Sequence, residues 1–133
     1  MATITEDYVS FETAKLLKEK GFDEPCWFWY DLSGEFRRYY SEPAKSSPCY
    51  ETACPTLQMV MRWLREVHNI FICIIPCEVG TGVMDYTYVL YKIDAKDFYF
   101  KDLGIQGRAE NISEISYENT VEAAIQYSLK NLI

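Results

Sequence analysis

Residues 55–76 change period in mid-course. Leu57, Val60, Met61, Leu64, Val67 and His68 recur every three or four positions, the spacing of one helix face. Ile70, Phe71, Ile72, Cys73, Ile74 and Ile75 then follow without a polar interruption, as in a strand apolar on both faces. Only Asn69 lies between, and Asn is one of the few residues that end a helix in the left-handed conformation. The pattern predicts a core helix over residues 55–68, with Pro55 in its first turn, feeding a strand in the centre of a sheet. Trp63 falls on the flank of that helix, and Arg62, Arg65 and Glu66 point outward.

The remaining segments are arranged around this spine. Ser10 is a good N-cap, Phe11, Ala14 and Leu17 make an inward stripe, and Gly21 is the expected C′ residue with Phe22 folding back on Leu17. Residues 26–40 read as a hairpin. Asp31-Leu32-Ser33-Gly34 suits a type I turn with Gly in the left-handed region, which pairs Tyr30 with Phe36 and Trp29 with Arg37. One hairpin face then carries Cys26, Phe28, Tyr30, Phe36, Arg38 and Tyr40, and the other carries Trp27, Trp29, Arg37 and Tyr39. Residues 41–54 show no period and hold Pro43 and Pro48, so an irregular connection is expected there. Strands are expected over residues 83–93 and 98–101, a loop over 103–115, and a final helix from Ser116 with Val121, Ala124, Ile125, Ser128, Leu129 and Leu132 inward.

The order is α-β-β-α-β-β-β-α. Without regular β-α-β alternation, the expected class is α+β, a single domain over residues 1–133 with an antiparallel or mixed sheet and helices mainly on one face. At 133 residues such a chain buries enough surface to fold without a metal or disulfide.

Charge narrows the function classes. A net charge of −7 makes nucleic acid an unlikely partner, since phosphate-backbone binding needs clustered Lys and Arg. Residues 1–8 carry Glu6 and Asp7 and no apolar signal-peptide core, and the longest apolar run, 70–77, is strand-sized. With five cysteines, an odd number, the expectation is a cytoplasmic protein with reduced thiols and no membrane association.

Catalytic pairings are weak. Cys54 stands at a helix start, where a thiol is acidified, but a continuous helix to His68 puts the two on the order of 20 Å apart. Hydrogen-bond reach is about 3 Å. Cys49 has no such restriction and no positive support. Cys73 and Cys77, with His68 near, have only loose zinc-ligand spacing, and Cys73 reads as core. His68 itself reads as a part-buried core histidine whose protonated form the helix end favours. Gly80-Thr81-Gly82 lacks the frame of a phosphate loop. No catalytic residue, metal ligand or cofactor is therefore expected.

The aromatic hairpin is the stronger signal. Trp27, Trp29, Arg37 and Tyr39 are the residue types that dominate interface energies. They are the expected interaction residues, for a protein partner or for self-association. The competing reading is that a neighbouring segment covers this face.

Three segments, residues 9–22, 55–68 and 122–133, resemble small proteins of gut-bacterial genomes and their phages. The resemblance covers the three helices in order and matches the hairpin less clearly. It implies a phage or mobile-element setting and brings no activity, cofactor or catalytic residue. The leading expectation is a non-enzymatic protein-interaction module. The alternatives are a small-ligand binder or enzyme built around the 41–54 loop and His68, and an acidic decoy for a basic partner.

Overall fold

The computed structural model describes residues 6–46, 51–78, 80, 82, 84–94, 99–109 and 115–133. The fold class is α+β. The elements are α1 (Phe11–Glu19), β1 (Phe28–Tyr30), β2 (Phe36–Arg38), β3 (Thr52–Ala53), α2 (Leu57–His68), β4 (Ile70–Glu78), β5 (Met84–Asp94), β6 (Tyr99–Gly107) and α3 (Tyr117–Asn131). The sheet content is antiparallel and is divided between two three-stranded sheets, ordered β2-β1-β3 and β4-β5-β6. By contacts the chain forms two compact units, Met1–Met59 and Val60–Ile133.

In the first unit, the caps of α1 are those the sequence predicts. The Ser10 hydroxyl accepts from the Thr13 N–H at 3.2 Å. Gly21 has φ +89°, and the Phe22 N–H donates to Leu17 O at 2.9 Å, closing a Schellman turn. Thr13, Ala14 and Leu17 are its buried residues, while Phe11 is only half-buried. The hairpin also takes the expected register, Tyr30 opposite Phe36 and Trp29 opposite Arg37, around Gly34 at φ +83°. The 41–54 segment departs from expectation. Its end forms β3, which pairs Ala53 with Trp29 along the second edge of β1. Two residues carry no periodicity, so a strand of that length leaves no pattern to read. Cys49 lies outside the described residues.

Helix α2 starts at Leu57, two residues later than expected. Thr56 caps it, its hydroxyl accepting from the Met59 N–H at 3.1 Å, so Pro55 stands before the cap rather than in the first turn.

In the second unit the stripe of α2 is buried through Leu64. Trp63, at 7% exposed, joins it from the flank, and Val67, at 56%, leaves it. The Trp63 and His68 rings meet edge to face with centroids 4.6 Å apart. Asn69 is the one non-glycine with positive φ, +57°, among the described residues.

Strand β4 is an edge strand and β5 the central one, against the expectation. Cys73 and Ile75 are exposed, so one face of β4 is largely uncovered despite the apolar run, while Tyr88, Val89 and Leu90 of β5 are buried. An apolar run also carries no information on the hydrogen-bonded neighbours of a strand. Strand β6 runs on to Gly107, well beyond the residue 101 expected, with a register shift at Leu90/Tyr91. Helix α3, capped by Ser116, packs on β4 and β5. Its Ala124 meets Tyr88 and Leu90, with Ile72, Ile74, Ile105 and Leu132 around them. No described helix is long and apolar enough to cross a membrane.

Candidate interaction surface on the aromatic hairpin

The four residues singled out by sequence have unequal roles. Trp29 stacks on Tyr39 with centroids 5.8 Å apart and planes 28° apart, and both rings are half-buried. The Tyr39 hydroxyl donates to the Glu51 carboxylate. Burial first, and then the hydrogen bond to Glu51, push its phenol well above the ordinary range. Arg37 is exposed and forms two ion pairs, to Asp31 at 3.2 Å and Glu35 at 2.8 Å. Trp27 is 45% exposed. The cover over this face is therefore partial, since Glu51 ties down Tyr39 and leaves Trp27 and Arg37 open.

The opposite face holds more than its alternation suggested. Phe28 stacks on Phe36 at 4.7 Å, and Tyr8 meets Phe28 at 4.7 Å and Phe36 at 5.5 Å. The Arg38 guanidinium lies 5.9 Å from the Phe28 ring centre. Phe36 is nevertheless 44% exposed and Tyr40 92%. Sequence reasoning placed Phe36, Arg38 and Tyr40 on this face without marking them as contact residues. Their signal was the same Arg–aromatic mixture. Tyr8 lay outside the hairpin and had no local signal at all. It is brought there by a bridge to Thr56.

The outer edge of β2 is open among the described residues. All three of its residues are exposed, and its only described strand partner is β1. The Tyr39 N–H donates to Trp27 O at 2.8 Å and the Asp31 N–H to Glu35 O at 3.1 Å. Antiparallel ladders alternate, so the main-chain groups of Phe36 and Arg38 point away from β1. A depression of about 450 Å³ wraps this edge, touching Phe28 and Phe36 as well as Trp29 and Arg37. A second groove, of about 340 Å³, lies along Tyr8, Cys26, Trp27, Phe28, Arg38 and Met59.

Among the described residues, the thiols and the histidine lie in separate surroundings. Cys26 and Cys54 are buried. Burial, aided by Glu24, pushes the Cys26 thiol up to about 12, which suppresses the thiolate. The Cys54 thiol donates to Val9 O at 3.5 Å. His68 Nε2 is buried with no hydrogen-bond partner among the described residues. Burial, with Lys92 second, lowers the His68 pKa, so desolvation outweighs the helix end that was expected to favour the protonated ring. Asp85 is buried and paired with Arg108. Among the described residues no three His, Cys, Asp or Glu side chains are grouped to hold a metal. Comparisons with protein-family models, curated proteins and solved structures give no match for this chain, so its reading rests on the hairpin itself.

Proposed function

We propose that this protein is a non-enzymatic protein-interaction module that grips an extended segment of a partner along the open edge of β2. One observation carries the proposal: a strand edge that is unpaired among the described residues and ringed by exposed Trp27, Phe36 and Tyr40. Free edges recruit a further strand, and native proteins otherwise cover or blunt them. Exposed aromatics next to arginines supply the anchors that dominate such contacts.

The outward groups of Phe36 and Arg38 would accept one further antiparallel strand, from a different chain or from a second copy of this one. The resemblance of the three helices supports a phage or mobile-element setting, and the odd cysteine count supports a cytoplasmic one.

The test is quantitative affinity capture with wild type, Phe36→Ala and Trp27→Ala, each first checked for an unchanged circular dichroism spectrum. Wild type is expected to retain a defined protein in near-stoichiometric amount, and both variants to lose it. Recovery of the same proteins by all three overturns the proposal.

A further inference from the structure

The 340 Å³ groove beside the hairpin has the walls of a small-molecule site. Trp27, Phe28 and Met59 contribute apolar surface, and the two buried cysteines, Cys26 and Cys54, also line it. Among the described residues, Arg38 is the only Lys, Arg or His side chain in its lining. The two arginines of β2 differ in a telling way. Arg37 is saturated by Asp31 and Glu35, whereas Arg38 makes no ion pair among the described residues and rests over an aromatic ring. In a chain with a net charge of −7, carboxylates are plentiful, and no described one is paired with this cation.

We infer that the groove binds a small carboxylate with an aryl or alkyl body, its carboxylate on Arg38 and its body against Trp27 and Phe28. A planar guanidinium matches a carboxylate in bidentate fashion. One cation between apolar walls suits a monoanion better than a phosphate, which would call for further donors. Tyr8 also lines the groove. Small apolar acids are thus the class selected. The groove shares Trp27, Phe28 and Arg38 with the strand edge but does not reach Tyr40, and that difference tells the two apart.

The probe is 3-phenylpropionate, titrated into the full chain and followed by the Trp27 indole N–H resonance and by calorimetry. The comparison ligands are 3-phenylpropionamide and phenyl phosphate. A ligand of this size is expected to bind in the millimolar range or tighter. The acid should shift the Trp27 resonance, and the amide should bind about tenfold more weakly, the cost of losing a charged hydrogen bond. Arg38→Gln should reduce acid binding by a similar factor and leave amide binding unchanged, with Arg38→Lys in between. Equal binding of acid and amide to wild type overturns the inference, as does tighter binding of phenyl phosphate or no shift of Trp27. The wild-type ligand comparison decides even if an Arg38 variant fails to fold. Tyr40→Ala, at an edge residue that does not line this groove, should leave probe binding intact, and loss of probe binding in that variant overturns the assignment to the groove.

Discussion

Gly107 lies directly against the ring of Tyr88 across the β5–β6 ladder: a Cβ built on it would overlap the Tyr88 Cζ and hydroxyl. The phenol is buried and packed in the core cluster with Ala124, so it has little room to withdraw. Gly107→Ala is expected to destabilise the protein by about 1–3 kcal/mol, the usual cost of overpacking. Urea unfolding would show this as a lower midpoint at constant slope. Pairing the change with Tyr88→Leu should recover part of the loss, and strictly additive effects would show that the two residues are not in conflict.

The hairpin turn is held by one carboxylate. Asp31 accepts from the Ser33 N–H at 2.9 Å and the Glu35 N–H at 3.0 Å, and its second oxygen pairs with Arg37. The Ser33 side-chain hydrogen bond, followed by the Glu35 amide, lowers its pKa to about 2. A folded-state pKa below the unfolded one contributes stability that is complete above the unfolded value of about 4 and is lost as pH falls toward the folded value. Carboxyl carbon shifts followed by NMR should place the Asp31 midpoint at about 2, below the ordinary aspartate value. Titration at the ordinary value would refute the assignment.

His68 should behave in the same direction for a different reason. Burial holds its pKa below the ordinary 6.5, so the unfolded chain takes up the proton first as pH falls. Its contribution is then complete above the unfolded pKa and declines as pH drops through it toward the folded value. Between pH 8 and pH 5, wild type should lose more stability in urea than His68→Gln does. Because it is the only histidine in the chain, parallel pH profiles would be decisive against this account.

Cysteine reactivity should be sharply divided. Cys73 is exposed on the edge strand, while Cys26 is buried with its thiol pushed up to about 12. At pH 8 only about one Cys26 in ten thousand would be thiolate, so alkylation should label Cys73 early and Cys26 only on unfolding. Peptide mapping over time measures this directly, and early labelling of Cys26 would show that the groove floor opens.

Removing the α2 cap tests the revised helix start. Thr56→Ala deletes the acceptor for the Met59 N–H and should cost about 1 kcal/mol. A neutral result would return the helix start to Pro55.

Local chemistry made much of this fold legible. Ser10, Gly21 and Ser116 mark helix ends because each satisfies groups within a few residues of itself. The Asp31–Gly34 turn likewise dictates the pairing of Trp29 with Arg37. Partnerships distant in sequence were not legible. Nothing within β4 states that β5 lies on only one side of it, and nothing near Tyr8 points to Phe28. The same limit applied to the candidate surface. Trp27 and Arg37 could be named from alternation, but which ring Glu51 would tie down depended on a segment with no pattern.

Asn69 joins two periodicities with no slack between them. A helix turns by about 100° per residue and a strand reverses face at every residue. Their phases are therefore locked: Leu64 can be buried while Ile72 and Ile74 face the core only at one count of intervening residues. Inserting a single alanine after Asn69 would offer Phe71, Cys73 and Ile75 to the core in their place. The joint acts as a spacer whose length, more than its chemistry, keeps the second unit in register.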